Sequence, residues 1–143
     1  MKKAAKKKGE GEGSGIRHVL RGLFQSFAKL AEQAAAGRAQ LRGLRIAYDP
    51  KVDRFVVVHI GSRVEFVLLI YSDSPPPHAE VECRRMDSAG VTEKSTIARF
   101  RFNDAGIVSE STIPELVNEG IDQVPGAWSI VAAVMWSALL APA

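Results

Sequence analysis

The apolar residues of this chain change their spacing near residue 45, and that change limits what it can fold into. From Ile16 onward, Ile16, Val19, Leu20, Leu23, Phe24, Phe27, Leu30, Ala31 and Ala34 recur three and four apart, the period of a helix with one buried face. Arg17, Arg21, Gln25 and Lys29 fall on the other face. Ser14 suits the N-cap and Gly37 the position just past the last turn, which brackets a helix of about twenty residues. Gly22 inside it costs on the order of 1 kcal/mol relative to Ala, so a close packing neighbour is expected there.

Past the basic joint of Arg38, Arg42 and Arg45 the period becomes two. Ile46 to Tyr48 reads as a short strand, Asp49-Pro50-Lys51 as a turn, and Arg54 to Ile60 as a Val-rich strand. Gly61-Ser62 then suits a two-residue hairpin loop leading into Arg63 to Tyr71, with Val57 opposite Phe66 and Phe55 opposite Leu68. That pairing puts Phe55, Val57, His59, Val64, Phe66 and Leu68 on one face. Three consecutive prolines close a loop at 72–77, and His78 to Met86 follows as a strand. Asp87-Ser88-Ala89-Gly90 turns the chain into Thr96 to Phe102, and Asn103-Asp104-Ala105-Gly106 turns it into Ile107 to Ser109. In this scheme Arg99 and Arg101 face Glu80 and Glu82 across the strands, and Phe100 and Phe102 face the core.

Thr112-Ile113-Pro114-Glu115 has the form of a capping box opening a short helix that ends near Gly120. Pro125 introduces Ala127 to Leu140, apolar on every side except Ser129 and Ser137, the pattern of a helix covered all round. Its fourteen residues span about 21 Å, short of the roughly 30 Å hydrocarbon layer, so no transmembrane segment is read. The expected class is α+β: an antiparallel sheet of five or six strands, packed by the N-terminal amphipathic helix and two C-terminal helices. Residues 1–15 are expected to form a flexible arm and 16–143 a single domain.

Charge is unevenly placed. Of 19 Lys and Arg, five lie in the first fifteen residues (Lys2, Lys3, Lys6, Lys7, Lys8) beside Glu10 and Glu12, so the net charge of +3 belongs to the arm and the rest is balanced. A balanced domain argues against a folded surface built for nucleic acid, whereas the five lysines can hold phosphates without sequence preference or can serve only as a solvated tail. Ala98-Arg99-Phe100-Arg101-Phe102 lacks the glycines of an RNA-binding strand signature.

Chemistry is sparse. Cys83 is the single cysteine, which excludes an internal disulfide and a Cys-x-x-Cys site, and it reads as a small core residue. His18, His59 and His78 have no metal-ligand spacing, so no metal and no cofactor is expected. There is no nucleophile elbow, phosphate loop or paired carboxylate. His59 is the one histidine on the apolar side of the sheet, where it reads as a hydrogen-bonded rim residue or as the polar group of a small-molecule pocket. The lysine run leads into Gly-Glu-Gly-Glu-Gly-Ser-Gly, not an apolar stretch, so no secretory signal is read and a cytoplasmic setting is expected.

Trp128, Met135, Trp136, Leu139 and Leu140 make the C-terminal helix aromatic and large on a domain with few elements to cover it. The leading expectation is therefore a non-catalytic protein-interaction domain of adaptor or chaperone-like kind. It would use the exposed sheet face and Trp128, Met135, Trp136 and Leu139, toward a protein partner or a second copy. The alternatives are a nucleic-acid-associated protein acting through Lys2, Lys3, Lys6, Lys7 and Lys8, and a ligand cup near His59.

Overall fold

The computed structural model describes residues 2–36, 44–49, 51–59, 61–73, 75–87 and 92–140, with side chains described except at 2–14 and 92–95. Helix α1 (Lys2–Ala36) precedes six strands, β1 (Arg45–Asp49), β2 (Arg54–His59), β3 (Ser62–Tyr71), β4 (His78–Met86), β5 (Thr92–Asn103) and β6 (Val108–Ser111), and helix α2 (Val124–Leu140) ends the chain. The strands form one antiparallel meander in the order β1-β2-β3-β4-β5-β6.

Alternation sends Phe55, Val57, Val64, Phe66, Val81, Cys83, Phe100 and Phe102 to the side covered by both helices, and all are buried. Phe27 of α1 sits at the centre, within 5.5 Å of the Phe55 ring, 6.2 Å of Phe66 and 6.0 Å of Phe100, centroid to centroid. Phe55 and Phe66, paired across β2 and β3, stack at 4.6 Å. The class is α+β, as the change of period implies.

Four local expectations are corrected. The β2–β3 hairpin pairs His59 with Ser62, so the register lies two residues from the expected one. Gly61, next to the paired Ser62, adopts φ +76°, a left-handed conformation that glycine takes readily. A slip of two keeps every side chain on its face, and Phe55, Val57, Val64, Phe66 and Leu68 are buried as read.

Helix α1 begins at Lys2, not at a cap on Ser14. Lys, Ala and Glu favour helix, and an existing helix gains one bond per added residue, which works against the cost of Gly9, Gly11, Gly13 and Gly15. The expected stop at Gly37 and the joint residues Arg38 and Arg42 lie outside the described residues, as do Pro50 and the 88–90 turn.

The expected short helix after Thr112 is one 3-10 turn, Pro114–Leu116, capped by Ile113 with no side-chain bond. Thr112 is occupied elsewhere: its hydroxyl accepts from the Arg99 N–H at 2.9 Å and donates to the Arg99 carbonyl at 3.2 Å, tying it to β5. The close neighbour expected at Gly22 is not found: among the described residues a Cβ there would meet nothing within 4 Å.

Candidate interaction surfaces

Helix α2 is held at its start by the segment after β6. Val108 N–H donates to the Glu119 carbonyl, Asn118 N–H to the Val108 carbonyl and Ile121 N–H to the Gly106 carbonyl, at 2.8–2.9 Å. Buried Gly126, Ala127, Ile130, Val131, Val134, Met135 and Ala138 follow a four-residue repeat along its inner face. The opposite side is apolar as well. Trp136 is 63% exposed, Leu139 49% and Leu140 68%, and the helix carries no charged residue. The expectation of a helix covered on all sides thus fails on its outer face.

Of the four residues expected on that surface, Trp136 and Leu139 are exposed and Trp128 is half-buried with a bonded or packed neighbour. Met135 is corrected: one helical turn beyond Val131, it shares the inner face and is 5% exposed. Helix α1, by contrast, has polar side chains at its exposed positions Arg17, His18, Gln25, Lys29, Glu32 and Gln33.

The helix-free face of the sheet is a ladder of ion pairs. Arg99 reaches Glu82 at 3.1 Å, Arg101 reaches Glu80 at 3.2 Å and Glu110 at 3.4 Å, and Arg84 reaches Glu82 at 2.7 Å. Arg54 of β2 pairs with Glu65 on the neighbouring strand β3. The cross-strand matching of Arg99 and Arg101 with Glu80 and Glu82 read from the alternation is therefore present. These charges answer one another within the face, and exposed Arg45 and Arg63, both opposite Val58, stand on the same face outside the ladder. A groove of about 260 Å³ beside Arg99, Arg101 and Glu110 is lined by the same paired groups.

His59 is half-buried on the helix-facing side of β2, and its Nδ1 is shielded without a hydrogen-bond partner among the described residues. It does not line a cleft of about 480 Å³ that lies between α1 and β1. There Gly22, Gln25, Ser26, Ala28, Lys29 and Glu32 of α1 face Ile46 and Tyr48 of β1. Burial raises the Tyr48 phenol above the ordinary tyrosine value, and the nearby Gln25 side chain pulls it back in part. Gly22 of α1 stands in this wall, which sequence reasoning did not anticipate.

Cys83 is fully buried, and burial followed by the neighbouring Glu82 charge pushes its thiol well above the ordinary value. It has the character of a core residue and not of a nucleophile. Lys2, Lys3, Lys6, Lys7 and Lys8 fall on about the first two turns of α1, and their side chains lie outside the described residues. Among the described residues no helix is long and apolar enough to cross a membrane, and no group of three or more His, Cys, Asp or Glu is placed to hold a metal.

Comparison with protein-family models, curated proteins and solved structures finds no match to this chain.

Proposed function

We propose that this chain is a non-catalytic protein-interaction domain, of adaptor or chaperone-like kind, that docks through the outward face of α2. The observation that carries the reading is the exposure of Trp136, Leu139 and Leu140 together on a helix without charge. Leaving such side chains in water forgoes about 1.5–3 kcal/mol each relative to full burial, so covering them drives association. The occupant best suited to that face is a second copy. A surface with no charge selects no partner by charge, permanent interfaces between copies are the more apolar kind, and the two-fold dimer is the commonest assembly.

The two tryptophans give a direct test. With Trp128→Phe, emission reports Trp136 alone, and on this reading it shifts to shorter wavelength as protein concentration rises. Emission fixed at the wavelength of a solvated indole at every concentration would refute the second copy as occupant. The open sheet face is the second contact surface in this proposal, and a cytoplasmic location goes with it as an expectation.

A second reading follows from α1 running back to Lys2, which brings five lysines onto its first turns. In it the N-terminal turns hold nucleic-acid phosphates without sequence preference. Deleting residues 1–15 then abolishes binding to a mixed-sequence DNA duplex, and binding weakens steeply with salt. Unchanged binding after deletion rejects it.

A further inference from the structure

Gly22 sits in the interior of α1, where glycine costs on the order of 1 kcal/mol relative to alanine. The usual structural reason, a neighbour too close to admit a Cβ, does not hold, because a Cβ there would meet nothing within 4 Å. The space it leaves belongs to the cleft between α1 and β1, whose volume of about 480 Å³ falls within the roughly 300–1,000 Å³ of small-ligand sites.

The walls of this cleft differ in character. Ile46, Ala28 and the Tyr48 ring supply apolar surface, and Gln25 and Ser26 supply an amide and a hydroxyl. The Tyr48 hydroxyl is shielded from solvent, and among the described residues it has the Gln25 side chain near it but no hydrogen bond of standard geometry. Lys29 and Glu32 add one cation and one anion, three residues apart on the helix, where side chains start about 5–6 Å from each other. Neither forms an ion pair with another described residue, unlike the charges of the sheet ladder.

We infer that the α1–β1 cleft is a binding site for a small zwitterion with an apolar body, the chemistry of an aromatic α-amino acid. Its carboxylate meets Lys29, its ammonium meets Glu32, and its ring lies against Ile46 and Tyr48 in the space left by Gly22. The site is separate from the α2 face, so it stands or falls independently of the docking proposal.

The test is titration of the full chain with L-phenylalanine, followed by amide chemical shifts. Phenylacetate, which lacks the ammonium, and phenethylamine, which lacks the carboxylate, are run beside it. The expected result is saturable shifts at residues 22–32 and 46–48, with each single-charge analogue at least about tenfold weaker, a factor equivalent to 1.4 kcal/mol. Gly22→Leu fills the cleft while improving helix propensity, so it should abolish binding without lowering the melting temperature. Lys29→Gln, on the exposed side of the helix, serves where Gly22→Leu fails to fold, and it should weaken L-phenylalanine but not phenethylamine. No saturable shift with any of the three probes at about 10 mM, well above the 1 mM scale of weak complexes, overturns the site. Equal binding of the analogues overturns the zwitterion, and undiminished binding to folded Gly22→Leu overturns the location.

Discussion

Gly126 lies so close to Gly120 that a Cβ built on it would sit 2.1 Å from the Gly120 carbonyl oxygen. Two backbones meet there: the first turn of α2 and the segment hydrogen-bonded to β6. This contact sets where α2 starts across the sheet, and therefore which of its residues face outward. Gly126→Ala is expected to destabilise the fold by more than about 2 kcal/mol, since a backbone clash outweighs the roughly 1 kcal/mol gained in helix propensity. Urea unfolding measures it, and a neutral or stabilising substitution would show that the two segments are not in contact.

Arg21 of α1 donates from Nε to both carboxylate oxygens of Asp53, at 2.9 and 3.1 Å, joining the helix to the β1–β2 turn. Both side chains are partly exposed, which limits the coupling to about 0.5–1 kcal/mol. Asp53 also has φ +48°, a conformation that Asn accepts readily and Ala does not. Asp53→Asn should therefore lose only the ionic coupling, shown by a double-mutant cycle with Arg21→Gln, while Asp53→Ala loses more. Equal losses for the two substitutions would remove the backbone argument.

The Cys83 thiol, raised by burial and then by Glu82, keeps its proton in the folded state at a pH where the unfolded chain releases it. The resulting stabilisation is complete below the ordinary thiol value of 9.0 and is lost as pH climbs from there toward the raised folded value. The slope cannot exceed about 1.4 kcal/mol per pH unit for one group. Tyr48 adds a loss of the same sign above its ordinary value of 10.0. Urea midpoints measured between about pH 8 and pH 10.5 should fall less steeply in Cys83→Ala than in the wild type. Parallel profiles would indicate a thiol that titrates normally.

What was legible in the sequence is what short-range pattern encodes. The alternation in residues 54–68 identified the buried face of β2 and β3 correctly although the pairing was two residues off, because a slip of two preserves the faces. The partners of Arg99 and Arg101 came from the same alternation. Failures arose where a residue's partner lay far along the chain. Thr112 has the local form of a cap, yet its hydroxyl is bonded to Arg99 thirteen residues earlier. Met135 belongs to the core because α2 starts where Gly126 meets Gly120. Gly22 gave no sign of a cleft, since the opposite wall is a strand beginning more than twenty residues later.

The outer face of α2 carries the functional account, and self-association is its most direct consequence. Sedimentation velocity at micromolar concentration should give twice the chain mass of 15.5 kDa for the wild type. Trp136→Lys should give a monomer whose melting temperature, measured below the dissociation range of the wild type, is unchanged, because an exposed site tolerates the substitution within about 0.5 kcal/mol. A wild type that sediments as a monomer throughout, indistinguishable from Trp136→Lys, would contradict the account.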